Sequence, residues 1–93
     1  MITLAAIIPA FNEQDTLGGI LRVLLAAGIN EIVVVNDGSH DATSRIAHSF
    51  PVKVIDSSEN QGKGEALMVG VREATAPVLL FLDADLVGLT VAH

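Results

Sequence analysis

Two aspartates, Asp83 and Asp85, sit one residue apart at the end of the apolar run "VLLFLDADL". Along an extended segment, residues two apart lie on one side. Two carboxylates there repel each other unless a cation joins them or one keeps its proton. Oxygen-only ligation suits Mg2+ or Mn2+, shared with a phosphate of the ligand. The plainer reading is a solvated turn after a strand, where aspartate is common. The position at a strand end, with other acids at neighbouring strand ends, favours the metal.

Three further clusters carry chemistry. In "NQGKGEAL", Lys63 lies between two glycines at the mouth of a helix. Backbone N–H groups and the helix dipole favour an anion there, and the lysine adds charge. The alternative is an ordinary flexible loop with a surface lysine. It is not a P-loop, because G-x-x-x-x-G-K-[ST] is absent, and no G-x-G-x-x-G follows the first strand. In "NDGSHDAT", Asp37 has the chemistry to accept hydrogen bonds from a base or ribose, while Ser39 and Asp41 read as turn and cap residues. Glu13 reads equally as a capping partner or a ligand contact. Phe11 reads as a core residue, with packing on a base as the alternative. His40 and His48 read as turn or solvated histidines, since neither has a second ligand at metal spacing on a helix face. No serine–histidine–acid set forms a defensible triad, and the catalytic residues stay unassigned.

The elements that must position these residues alternate regularly. "TLAAIIPA" (3–10) reads as a strand, with Asn12 and Asp15 as candidate caps of the helix that follows. Leu17, Ile20, Leu21, Leu24 and Leu25 then recur at helical spacing, and Gly28 ends that helix. "EIVVVN" (31–36) reads as a buried strand, 42–49 as a short helix and "VKVID" (52–56) as a third strand. Residues 64–75 read as a helix with Leu67, Gly70, Val71 and Ala74 on one face, and "VLLFLD" (78–83) as a fourth strand. The order β-α-β-α-β-α-β predicts an α/β fold: a mostly parallel sheet with helices on both faces. In such sheets ligands bind beyond the carboxyl ends of the strands, and every polar cluster falls there. Thr90 reads as the cap of one more helix, three residues before the end.

Composition narrows the function. The chain has 93 residues, 51% of them apolar and 3% aromatic. That aliphatic profile suits a buried parallel sheet and excludes disorder. Eleven acids against five bases give a formal charge of −6, which argues against nucleic acid and an anionic membrane surface as partners. There is no cysteine, so disulfides, thiolate metal sites and a cysteine nucleophile are excluded. The start lacks a basic n-region and a clear cleavage site, which argues against a signal peptide. No apolar run approaches the ~18 residues of a membrane span. The expectation is a cytoplasmic protein, with peripheral membrane association left to a longer parent.

As a set, "IIPAFNEQDTL", "IVVVNDGSHDAT", "NQGKGEAL" and "FLDADL" resemble the nucleotide-binding half of family 2 glycosyltransferases with the GT-A fold, a Rossmann-like architecture. The resemblance covers nearly the whole chain, and four motifs in register are specific where each alone is modest. Within the family it resembles enzymes that glucosylate phosphoglycerate or make polyprenyl-phosphate sugars. It implies that Pro9, Ala10, Asn12 and Glu13 cradle the nucleotide, that Asp37 contacts the base, and that Lys63 lies near the base and phosphates. It implies that Asp83 faces the ribose and that Asp83 and Asp85 form the D-x-D signature binding Mg2+ or Mn2+ on the diphosphate. The implied partner is a nucleoside-diphosphate sugar, UDP- or GDP-linked.

In this family the acceptor site and the usual base lie beyond the D-x-D. The resemblance therefore implies donor binding rather than turnover, with residues 1–93 as one nucleotide-sugar-binding half that lacks the acceptor half. The unfinished sheet leaves homo-oligomerisation open. The alternative function is a nucleotide- and metal-binding module without transfer. A third reading, a phosphotransferase of the haloacid dehalogenase type with Asp83 as nucleophile, fits poorly, because that signature needs a later lysine and acids.

Overall fold

The computed structural model describes residues 3–85. Strands β1 (Leu4–Ala10), β2 (Glu31–Asp37), β3 (Lys53–Ser57) and β4 (Val78–Phe81) alternate with helices α1 (Leu17–Ala26), α2 (Thr43–His48) and α3 (Lys63–Glu73). The strands form one sheet in the order β3-β2-β1-β4, and every pairing is parallel. The expected α/β class is therefore the observed one.

Crossover handedness explains which helix covers which face. From β1 to β2 to β3 the chain steps one way along the sheet, so right-handed connections put α1 and α2 on the same face. From β3 it returns across β1 to β4, and the same hand puts α3 on the opposite face. Ala6, Ile8, Ala10, Ile32 and Val34 accordingly pack with Leu17, Ile20, Leu21 and Leu24 of α1 and Ala47 of α2. Ala5, Ile7, Val33 and Val35 pack with Ala66 of α3. The central strands are buried on both faces, which is why they read as continuous apolar runs.

Two glycines decide local geometry. Gly28, at φ 77°, ends α1 in a Schellman motif: its N–H donates to the Leu25 carbonyl and the Ile29 N–H to the Leu24 carbonyl. Gly70 lets α3 lie close on the sheet, since a Cβ there would run into Ile7 and come within 3.3 Å of Val35.

Three local expectations change. Neither Asn12 nor Asp15 caps α1; the N-cap is Thr16, with no side-chain cap bond, because Asn12 and Thr16 are committed to other loops. The α3 face that packs is Ala66, Leu67, Val69, Gly70 and Ala74, without Val71. Strand β4 stops at Phe81, before the aspartates. Among the described residues β4 is an edge strand, with Val78, Leu80 and Phe81 exposed. The helix expected from Thr90 lies outside the described residues. Among the described residues, no helix is long and apolar enough to cross a membrane.

Candidate functional site

The strand order reverses between β1 and β4, and in an open parallel sheet that switch point leaves a crevice at the carboxyl ends of the strands. A hollow lies there. The end of β1 contributes Pro9, Ala10, Phe11 and Glu13, β2 contributes Asp37, and the β3–α3 side contributes Asn60 and Lys63. Ala84 and Asp85 close it from the β4 side. A second hollow adjoins it, sharing Pro9 and Lys63 and lined by Asp83, Phe81 and Leu67. Pro9, Ala10, Glu13, Asp37, Lys63 and Asp85, all singled out from sequence, thus meet at one place, and Asp83 lies beside them. Asn12 lines neither hollow.

Asn12 instead helps to hold the loops. It sits at φ 52°, a left-handed backbone that asparagine tolerates better than most residues. Its N–H donates to Ser39 Oγ at 2.9 Å, and its Oδ1 accepts from the His40 N–H at 2.8 Å. Next along, the Glu13 N–H donates to Thr43 Oγ1 at 2.8 Å. The Gln14 N–H donates to Asp41 Oδ2 at 3.4 Å, and the Ala42 N–H to Gln14 Oε1 at 3.1 Å. These bonds zip the β1–α1 loop to the β2–α2 loop. Asp41 also takes the Thr43 N–H at 2.9 Å, a turn bond just before α2 rather than the expected cap, since the N-cap is Ala42 with no side-chain cap bond. Burial raises the Asp41 carboxyl, but the bonds from Thr43 and Gln14 outweigh it and hold it below the ordinary aspartate value.

Asp37 ties in the third loop. Its two carboxylate oxygens accept the Gln61 and Gly62 N–H groups, each at 2.9 Å, and the residue is 4% exposed. The neighbouring Gly38, at φ 77°, lies so close to this loop that a Cβ would meet Asn60 N at 2.5 Å. Asp37 therefore fixes the loop that leads into Lys63. Each of its oxygens keeps a second lone-pair direction for another donor.

The acidic wall is built differently. The chain turns at Ala84 and Asp85, so strand alternation does not govern the two aspartates, and they line adjoining hollows rather than one. Lys63 Nζ donates to Asp83 Oδ1. That bond, and the charges of Asp83, Asp85 and Glu13, raise the lysine above its ordinary value against the opposing effect of burial. Glu13 is raised by burial first, then by the charges of Asp85 and Asp41, with Lys63 opposing. Thr16 Oγ1 donates to the Ala84 carbonyl and anchors the turn.

These donors bear on the expected divalent cation. Among the described residues, no three acidic or histidine side chains converge as a protein-built metal cage. Asp83 and Asp85 offer hard oxygen donors, and after burial their charges help to raise Glu13 beside them. That fits a cation held by one or two carboxylates and completed by ligand phosphates and water, the habit of Mg2+.

Several contributors escaped the sequence. Phe11, expected in the core, is 41% exposed and lines the hollow, because β1 carries it past the sheet edge. His48 is solvated as expected, its side chain 56% exposed, but its Nε2 also lies 2.7 Å from Asp56 Oδ2; parallel pairing brings β3 beside α2, which spacing along a helix cannot reveal. Asn60 and Thr16 carried no signal beyond lying in polar loops.

This fold and site define an open parallel α/β sheet with a polar crevice at its switch point, and comparison with known proteins gives the family. The family model described as "Glycosyl transferase family 2" matches residues 5–88, and the chain belongs to that family. It is 38% identical over 101 residues to a dolichyl-phosphate beta-glucosyltransferase of Drosophila melanogaster, covering 90% of this chain and 31% of that protein. Among solved structures it is similar to S. aureus TarS in complex with UDP, at TM-score 0.82 and 26% identity, over 90% of this chain and 28% of that one. Glucosyl-3-phosphoglycerate synthase from Mycobacterium tuberculosis, in complex with Mn2+, UDP and glucosyl-3-phosphoglycerate, shares the fold at TM-score 0.86 and 24% identity, over 96% of this chain and 36% of that one. The chain therefore spans about a third of the length of these relatives.

Proposed function

We propose that this chain is the donor-binding region of a glycosyltransferase and holds a nucleoside-diphosphate sugar in the hollow between β1 and β4. The observation that carries the reading is the meeting of Glu13, Asp37, Lys63 and Asp85 at the switch point. Pro9, Ala10 and the exposed ring of Phe11 offer an apolar bed for a base. Asp37, already fixed by two loop N–H groups, presents its remaining lone pairs to a base N–H. Lys63 exchanges Asp83 for the diphosphate. Asp83 and Asp85 would hold Mg2+ or Mn2+, with Asp83 also reaching the ribose side. When bound, the cation supplies charge stabilisation for the departing nucleoside diphosphate.

UDP is the first nucleotide to test, because the S. aureus relative was solved with it; GDP is tested beside it. Glycosyl transfer, with its acceptor and base, is proposed for the whole protein. The lack of cysteine fits a reducing setting such as the cytoplasm. Calorimetric titration of the chain with UDP and GDP, with and without Mn2+, tests the reading. The expected result is metal-dependent binding of one nucleotide, abolished in Asp85→Ala. A folded chain that binds neither overturns it.

A further inference from the structure

Behind the zipped loops, outside the hollow, a second polar network starts on β3. Asp56 and Asn36 are register partners on adjacent strands, and Asn36 Nδ2 donates to Asp56 Oδ1 at 2.9 Å. Ser44 Oγ donates to the same oxygen at 2.9 Å. His48 Nε2 faces the other oxygen at 2.7 Å. Burial raises the Asp56 carboxyl, but the bonds from His48, Asn36 and Ser44 outweigh it and hold it below the ordinary aspartate value.

The consequence lies at the far end of Asn36. A carboxamide has a donor end and an acceptor end, whereas an ionised carboxylate only accepts. Asp56 therefore selects the Nδ2 end and turns Oδ1 the other way. That Oδ1 accepts the Ser39 N–H at 3.1 Å. Ser39 Oγ in turn accepts the Asn12 N–H, and Asn12 Oδ1 accepts the His40 N–H. Asn36 is 4% exposed, so water has little access to replace a lost partner. From Asp56 to Asn12, each residue on the path is hydrogen-bonded to the next.

We infer that Asp56, held by Ser44 and His48, is a positioning residue for the loop after β1: by fixing the amide of Asn36 it sets Ser39 and Asn12, and so the Pro9–Glu13 wall of the hollow. The ligand side of this inference rests on the function proposed above; the loop side does not.

The test is amide hydrogen exchange by NMR, together with nucleotide titration in Mn2+, well below the unfolding transition. In Asp56→Ala the amides of Asn12, Ser39 and His40 exchange about tenfold faster, the scale of one lost hydrogen bond, while Val34 keeps its rate. Nucleotide affinity falls by a similar factor of about ten. The exchanged pair Asn36→Asp with Asp56→Asn restores both. The new carboxylate on β2 then accepts from Ser39 and from the new amide on β3, whose oxygen meets His48. If Asp56→Ala does not fold, Ser44→Ala with His48→Ala leaves Asp56 unheld, with an expected effect of about threefold. Unchanged exchange at Asn12, Ser39 and His40 overturns the inference, as does acceleration that includes Val34. Local acceleration that the exchanged pair fails to reverse overturns the role of amide orientation. Local acceleration with undiminished affinity overturns the service to the site. If the wild-type chain binds neither nucleotide, the functional reading fails while the exchange rates still decide the loop's dependence on Asp56.

Discussion

On one side of the hollow, five hydrogen bonds join Asn12, Glu13 and Gln14 to the segment from Ser39 to Thr43, and a nearly buried Asp37 clamps the third loop. On the other side, Asp83 and Asp85 follow β4, which among the described residues is an edge strand with exposed apolar residues. The turn there is held by the Leu82 N–H to the Ile7 carbonyl, by Thr16 on Ala84, and by a Lys63–Asp83 pair whose side chains are 61% and 53% exposed. Segments with few buried contacts open at small free-energy cost, whereas cross-linked ones open only with the fold. The difference suits a site that preforms its nucleoside side and lets its acidic side adjust to a cation and a diphosphate. On the proposed function, preorganisation on one wall would lower the ordering cost of binding, and adjustability on the other would let Lys63 change partners.

The comparison breaks if substitutions on the two walls cost the same stability. The largest loss is expected for Asp37→Ala, on the order of 3 kcal/mol, because two loop N–H groups lose a charged, buried acceptor. Urea denaturation reads it. Thr43→Val keeps the shape of a fully buried side chain but leaves the Glu13 N–H without its acceptor, at about 1–2 kcal/mol. Across the hollow, Lys63→Ala is expected to change stability by less than about 1 kcal/mol, the range of an exposed pair, yet to weaken UDP more than uridine. Equal weakening of both would show that the lysine does not meet phosphate. Asp85→Ala is expected to leave stability within about 0.5 kcal/mol while removing the Mn2+-dependent part of nucleotide binding.

Acid titration sharpens the same contrast through its sign. Asp41, on the zipped wall, is held below its ordinary value of 3.8. Its contribution is present above that value and is lost as pH falls through the folded value. Glu13, facing Asp85, is raised above 4.5, so its contribution declines as pH rises through the raised value. Thermal melts across this acidic range should show Asp41→Asn flattening the loss on acidification. Glu13→Gln should instead remove a loss on the way up. Matching slopes in the two variants would erase the distinction between a carboxylate bonded into the zipped loops and one that faces the acidic side of the hollow.

Much of this molecule was legible along the chain. The apolar runs of β1 and β2, the periodicity of α1 and the Gly28 stop each follow from local rules, and alternation of elements is enough to call for a parallel sheet. The site residues were legible as types at strand ends, which is why Glu13, Asp37, Lys63 and Asp85 fell into one hollow. Their division of labour was not. Asn12 and Asp37 read as ligand groups, and their hydrogen bonds run to neighbouring loops, because parallel pairing gathers loops that lie far apart along the chain. Phe11 read as core because hydrophobicity alone does not say where a strand leaves its sheet.

The sequence by itself determined the class of fold, the positions of the elements and the chemical types gathered at the strand ends, because backbone preference, apolar periodicity and crossover handedness act locally. Tertiary structure alone decided that β4 pairs with β1, opening the crevice at that junction. It also decided that Lys63 faces Asp83, and that the hydrogen bonds of Asp56 lead to a loop far earlier in the chain. Those outcomes depend on strand order and on which hydrogen-bonding groups burial leaves without water, and neither is written in the spacing of residues along the chain.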